Sequence, residues 1–215
     1  FVQNLSKFDT FTVPSAYQLL PFEGAFKAVD ENFQPLSIDL YDPKTWDEYG
    51  WSAYLDDDFK KKFTPAEQRS ARSYFTAVLN RAKRFHQALS APSNGRTPVS
   101  FYLIGGDCKD TLNTVVLLRD EKKSRWRTLF KEDSFTRADG TKVTAEEVKK
   151  VMFAPGDGVV PKRSLTAETI TIGNKQILPV TSDIFLCEGH TKLVSNAEIQ
   201  DRIFTLLFGI TTAER

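Results

Sequence analysis

The stretch Gly156-Asp157-Gly158-Val159-Val160-Pro161 constrains this chain more than any other. An acid flanked by two glycines marks a turn, because glycine frees the backbone for turn conformations and for close approach of other chain segments. Downstream, the apolar run Ile184-Phe185-Leu186-Cys187 leads through Glu188-Gly189 to His190. A last segment with Ile199, Ile203, Leu206, Leu207 and Ile210 on one face then closes the sequence as an amphipathic helix, with Ser195 or Asn196 as its cap. An acid on a turn, a histidine after a late strand and a final helix follow the order in which a catalytic acid and base are delivered. The serine expected ahead of them, in a G-x-S-x-G elbow, occurs nowhere in the 215 residues.

Other segments fix the alternation of elements around that turn. Thr64-Pro65-Ala66-Glu67 reads as a capping box, and Phe75, Val78, Leu79, Ala82, Phe85 and Leu89 recur at helical spacing, so a long helix is predicted up to Ala91-Pro92. Val99 to Ile104, running into Gly105-Gly106-Asp107, predicts a buried strand of a parallel sheet. Thr114 to Leu118 and Trp126 to Phe130 flank a charged turn and predict a hairpin. Leu36 to Leu40 alternates as a short half-buried strand would, and Ile170 to Ile172 predicts another. Asp139-Gly140 is a turn, and Thr144 caps a short helix to Val151. The charge blocks Asp56-Asp57-Asp58 and Lys60-Lys61-Lys62 read as a solvated surface turn.

Composition removes several classes of function. The 29 basic and 28 acidic side chains leave a net charge of +1, which offers no polyanion surface, so no nucleic-acid partner is expected. Seventeen Phe provide for a real core and argue against disorder. No run of about 18 apolar residues occurs, so no transmembrane segment is expected. The single methionine is Met152, so Phe1 is read as the start of a processed chain or of a piece of a larger protein. Two cysteines, Cys108 and Cys187, are too few for a disulfide framework or a cysteine-rich zinc site. They are read as buried free thiols, with one disulfide as the alternative. No metal site and no cofactor are called for.

Three blocks together resemble the lecithin–cholesterol acyltransferase-like branch of the α/β-hydrolases. Pro14-Ser15-Ala16-Tyr17-Gln18-Leu19-Leu20-Pro21 is similar to that family's small-aromatic-x-Leu-Leu-Pro segment. Gly156 to Leu165 is similar to its stretch around the acid, and His190 with Leu193, Asn196 and the terminal helix to its C-terminal end. The resemblance spans nearly the whole chain. It departs where the elbow, the oxyanion loop and the early strands are missing, and where Val159 replaces the commoner threonine.

The resemblance implies the C-terminal part of an α/β-hydrolase, with a mostly parallel sheet and flanking helices. Residues 1–97 would be a cap or lid segment with its return helix. Residues 98–215 would be the C-terminal half of the core. The activity implied is that of a serine esterase, lipase or acyltransferase on lipid-like carboxylic esters. Asp157 is then the orienting acid, His190 the base, and the serine lies upstream of Phe1, in an N-terminal remainder of the same protein that acts as partner. The chain alone is expected to be inactive.

Trp46, Tyr49, Trp51 and Tyr54 fall where the family carries cap segments, so Trp46 and Trp51 are candidate substrate-lining residues or cap packing. Asp107 is the rival acid, since it too follows a strand, but the block around Asp157 favours Asp157. His86 is read as structural. A thiol nucleophile is set aside because Cys187 lies only three residues before His190 and Cys108 has no elbow glycines after it. The alternative to an enzyme is a non-catalytic binding or interaction module on the same scaffold.

Overall fold

A computed structural model of the chain describes residues 11–21, 25–91, 99–120, 125–166, 171–172, 175–176 and 180–209. Its helices are α1 (Pro43–Glu48), α2 (Asp57–Lys62), α3 (Pro65–Leu89), α4 (Ala145–Met152), α5 (Lys162–Leu165) and α6 (Ala197–Phe208). Its strands are β1 (Ala28–Val29), β2 (Pro35–Leu36), β3 (Phe101–Gly106), β4 (Lys109–Leu112), β5 (Val115–Asp120), β6 (Arg125–Leu129), β7 (Phe135–Thr136), β8 (Lys142–Val143), β9 (Phe153–Gly156), β10 (Thr171–Ile172), β11 (Lys175–Gln176) and β12 (Val180–Leu186). The chain divides into two compact units. One comprises Phe1–Pro92, Val115–Phe130 and Arg137–Asp139, the other Ser93–Thr114, Lys131–Thr136 and Gly140–Arg215.

The expected mostly parallel α/β-hydrolase sheet is not the architecture found. Among the described residues the strands form one four-stranded sheet, in the order β2-β1-β5-β6, and four separate two-stranded sheets. Only β1·β5 and β3·β12 pair in parallel; the other pairs are antiparallel. The physical reason lies in the strands themselves. Most have two to five residues, and short connections make antiparallel pairs of β1 with β2, β5 with β6 and β7 with β8, whereas a parallel pair needs a long crossover. Nor does β3 have the all-buried character of a central parallel strand, because Tyr102 is exposed and Leu103 and Ile104 only half-buried.

The first unit is held by an aromatic core. Thr64 and Glu67 close a capping box at the start of α3, and Phe75, Val78, Leu79 and Ala82 face inward from it. The Phe75 ring lies 5.2 Å from Trp46, 5.5 Å from Tyr17, 5.7 Å from Tyr54 and 5.9 Å from Phe11. Such ring pairs add about 0.5–1.5 kcal/mol each beyond their buried area. Farther along α3 the inward position passes to His86, while Phe85 and Leu89 stay exposed. The segment Pro14–Leu19 forms a 3-10 turn that buries Tyr17.

Two expectations for this unit fail at short range. The charge block is not a surface turn but α2, capped by the Asp56 side chain, with acids in its first turn, lysines in its last and Phe59 buried. That order of charges complements the helix dipole. The strand expected over Leu36 to Leu40 ends at Leu36. The predicted hairpin is present as β5–β6, and Val115, Val116, Leu117 and Leu118 are all buried. Its charged turn lies partly outside the described residues.

In the second unit α4 carries the predicted capping box on Thr144, and Val148 and Met152 are fully buried. The Met152 carbonyl accepts from the N–H groups of Asn113 and Thr114, at 2.8 and 3.0 Å, which ties α4 to the end of β4. At the ends of β3 and β12, Cys108 and Cys187 form a disulfide with Cα atoms 5.0 Å apart. Free buried thiols are thus the wrong reading: Gly106 pairs with Leu186 in the parallel register, so the two chains leave the sheet side by side. Asn196 caps α6, but of its expected apolar face only Ile199 is buried; Leu207 is 70% exposed. Ile210 and Ile170 lie outside the described residues. Among the described residues no helix is long and apolar enough to cross a membrane.

Candidate active site

Asp157 follows directly from β9, at the start of a turn closed by its own N–H on the Val160 carbonyl. The turn needs Gly158, whose φ of +92° a side chain would strain. Gly189 has no such need: its φ is −83°, an ordinary extended value. The Asp157 carboxylate is buried. Its Oδ1 accepts from the N–H groups of Val159 and Val160, at 2.9 and 2.7 Å, and its Oδ2 lies 2.8 Å from His190 Nδ1. A second bond joins the same two residues, since the His190 N–H donates to the Asp157 carbonyl at 2.9 Å.

Burial pushes the Asp157 carboxyl up, but the Val160 N–H, the His190 imidazole and the Val159 N–H stabilise the anion and outweigh it. The net result is a carboxyl held below its ordinary value. An ionised carboxylate only accepts, so His190 Nδ1 carries a proton, and in the neutral imidazole Nε2 is then the nitrogen with the lone pair. The imidazole is 47% exposed, and among the described residues Nε2 has no hydrogen-bond partner. A base oriented through Nδ1 with Nε2 open can take a proton from a hydroxyl and return it.

His190 opens a 3-10 turn, His190–Ser195, whose entry is fixed by Glu188. The Glu188 carboxylate accepts from the Gly189 N–H at 2.8 Å and from Asn196 Nδ2 at 3.2 Å. Those bonds hold its carboxyl below the ordinary value. The same Asn196 accepts from the Ile199 N–H at 3.2 Å, so one amide caps α6 and braces the histidine loop. Sequence reasoning missed Glu188; its place two residues before His190, with a capping Asn downstream, is the signal that could have found it. Gly106 was missed as well. A Cβ there would meet the Glu188 carbonyl at 2.2 Å and the Asp157 Cβ at 2.8 Å, so β3 passes the site only as glycine.

The other candidates fall elsewhere. Asp107, the rival acid, is bonded to Lys162 Nζ at 2.9 Å, and that ammonium also sits 4.2 Å from the Phe185 ring centre. The disulfide removes both thiols as nucleophiles. Trp46 and Trp51 belong to the first unit. Trp46 Nε1 donates to the Leu40 carbonyl at 2.8 Å, Trp51 Nε1 donates to Thr128 Oγ1 at 2.7 Å, and Trp51 stacks on Tyr49. His86 is in that unit too, with Nδ1 2.5 Å from the Tyr41 hydroxyl and Nε2 2.9 Å from the Gln18 carbonyl.

No family model, curated protein or solved structure matches the chain.

Proposed function

We propose that Asp157 and His190 are the acid and base of a serine hydrolase or acyltransferase acting on lipid-like carboxylic esters, with the serine contributed from upstream of Phe1. The observation that carries the reading is a buried, ionised carboxylate on Nδ1 of an imidazole whose Nε2 is open. The lipid-like substrate class rests on the family resemblance of the blocks around Tyr17, Asp157 and His190.

In that reading Nε2 takes the serine proton as Oγ attacks the ester carbonyl, and returns it to the leaving alcohol as the acyl-enzyme forms. Water or an acceptor alcohol then attacks the acyl-enzyme and loses its proton to Nε2, which passes it to Oγ as the acyl–Oγ bond breaks. Asp157 stays ionised throughout, fixing the tautomer and stabilising the imidazolium. The disulfide suits an oxidising compartment.

The test is labelling of the intact protein with a fluorophosphonate, alongside turnover of a p-nitrophenyl acyl ester. One labelled serine, with labelling and turnover lost in His190→Ala and Asp157→Asn, supports the reading. Labelling and turnover untouched by both substitutions would sink it, and an intact wild type that is neither labelled nor active would leave a non-catalytic binding module.

A further inference from the structure

We propose that Thr111 is a positioning residue for the acid: its hydroxyl clamps the turn that carries Asp157 and so sets the carboxylate against His190. The inference rests on the reading of Asp157 and His190 as acid and base. Thr111 lies on β4, which pairs antiparallel with β9, the strand that leads into the turn. It is fully buried. Its Oγ1 donates to the Lys109 carbonyl at 3.0 Å and accepts from the Gly158 N–H at 2.8 Å.

The division of amide groups in the turn gives that hydroxyl its role. The positive φ of Gly158 turns its N–H away from the carboxylate, toward β4, while the next two N–H groups converge on Asp157 Oδ1. The turn is thus held from both sides, by the carboxylate on one and by Thr111 on the other. The fit is close: a Cβ on Gly156 would stand 2.5 Å from Thr111 Oγ1. The pairing of β4 with β9 makes no use of a side-chain hydroxyl, and valine would fill the same volume in a strand. A polar atom kept in so buried a place is accounted for by the bond it makes to Gly158.

The test uses isotope-labelled protein and three variants. In Thr111→Val the Gly158 amide should exchange with solvent at least ~tenfold faster, and the Asp157 carboxyl should titrate nearer its ordinary value as its N–H donors loosen. Thr111→Ser, which keeps the hydroxyl, should match the wild type in both. Val148→Ala, in the buried face of α4, should lower Tm and move neither. In the intact enzyme Thr111→Val should lower kcat with KM held, and Thr111→Ser should restore it. An Asp157 titration unchanged in Thr111→Val would overturn the proposal. If that variant does not fold, wild-type exchange decides: a protected Gly158 amide supports the clamp, and a freely exchanging one overturns it. Failure of the acyl-transfer reading would appear differently, as turnover indifferent to His190→Ala, whatever the Asp157 titration does.

Discussion

Each unit of this molecule holds one histidine and a well-bonded aspartate, and the two units put these residues to opposite uses. In the first unit Asp47 accepts from Ser52 Oγ, the Tyr54 hydroxyl and Arg72, at 2.6, 2.5 and 3.0 Å. Burial, and then Asp47, push the Tyr54 phenol up to about 12. His86, 8% exposed, has both ring nitrogens in hydrogen bonds. Every polar atom named there closes a contact within the fold. In the second unit Asp157 is more deeply buried than Asp47, but two of its donors are backbone and the third is an imidazole with one nitrogen left open. The difference between a structural and a candidate catalytic group is thus not the presence of a well-bonded carboxylate, which both units have. It is whether a lone pair is left over once the group has been positioned.

The two histidines provide the largest test of that contrast. His190→Ala in the intact protein should lower ester turnover roughly ten-thousand-fold, with Tm nearly unchanged. His86→Ala should do the reverse. Equal losses of turnover would break the comparison; they would be read from kcat per folded molecule alongside thermal unfolding.

The next effect separates what holds each unit together. The first has its aromatic core, whereas the buried apolar residues described in the second are few, notably Val143, Val148, Met152 and Ile199. The disulfide spans a separation of 79 residues there. Replacing Cys108 and Cys187 together by serine should cost about 3–5 kcal/mol on the chain-entropy argument, measured by denaturant unfolding with a probe in each unit. If the loss fell on the first unit, the comparison would fail. Smaller again is His86→Ala, at about 1–3 kcal/mol for the hydrogen bonds it removes. It should be felt in the first unit, with Trp46 or Trp51 fluorescence as the probe.

What the sequence made legible follows the range of the forces involved. The capping box at Thr64, the cap at Thr144, a cap at Ser195 or Asn196 and the β5–β6 hairpin were all visible, because each is written in a few neighbouring residues. The Asp157–His190 pair was visible through glycine-flanked turn chemistry and the apolar run before Cys187. Sheet order was not. The apolar run at 101–106 looks alike whether it pairs with many strands or with one, and only long-range pairing decides. The reversal at Phe85 and His86 was hidden for a related reason: periodicity ranks both as possible inward positions, and a polar His86 wins because Tyr41 and Gln18 satisfy its ring. Glu188 and Thr111 were missed because neither belongs to a motif. Each matters only through a backbone N–H brought to it by the fold.

The smallest expected effect is also the most specific to the acid. The folded-state pKa of Asp157 is lowered, so ionised Asp157 binds its donors better in the folded chain than in the unfolded one. The stabilisation this gives is complete above the carboxyl's ordinary pKa and is lost as pH falls through the lowered one. Stability of the second unit should therefore fall with acidification through and below the ordinary carboxylate range. Asp157→Asn should remove that part of the pH dependence while leaving the part due to other carboxylates. Asp47→Asn, in the other unit, should leave the acid limb of the second unit's curve in place. Unfolding curves from pH 7 down to about pH 3 on the three proteins would measure it. An acid limb identical in Asp157→Asn and wild type would mean that the Val160 and Val159 N–H groups and His190 do not hold the carboxylate in solution, and the distinction between a positioned carboxylate and a merely buried one would go with it.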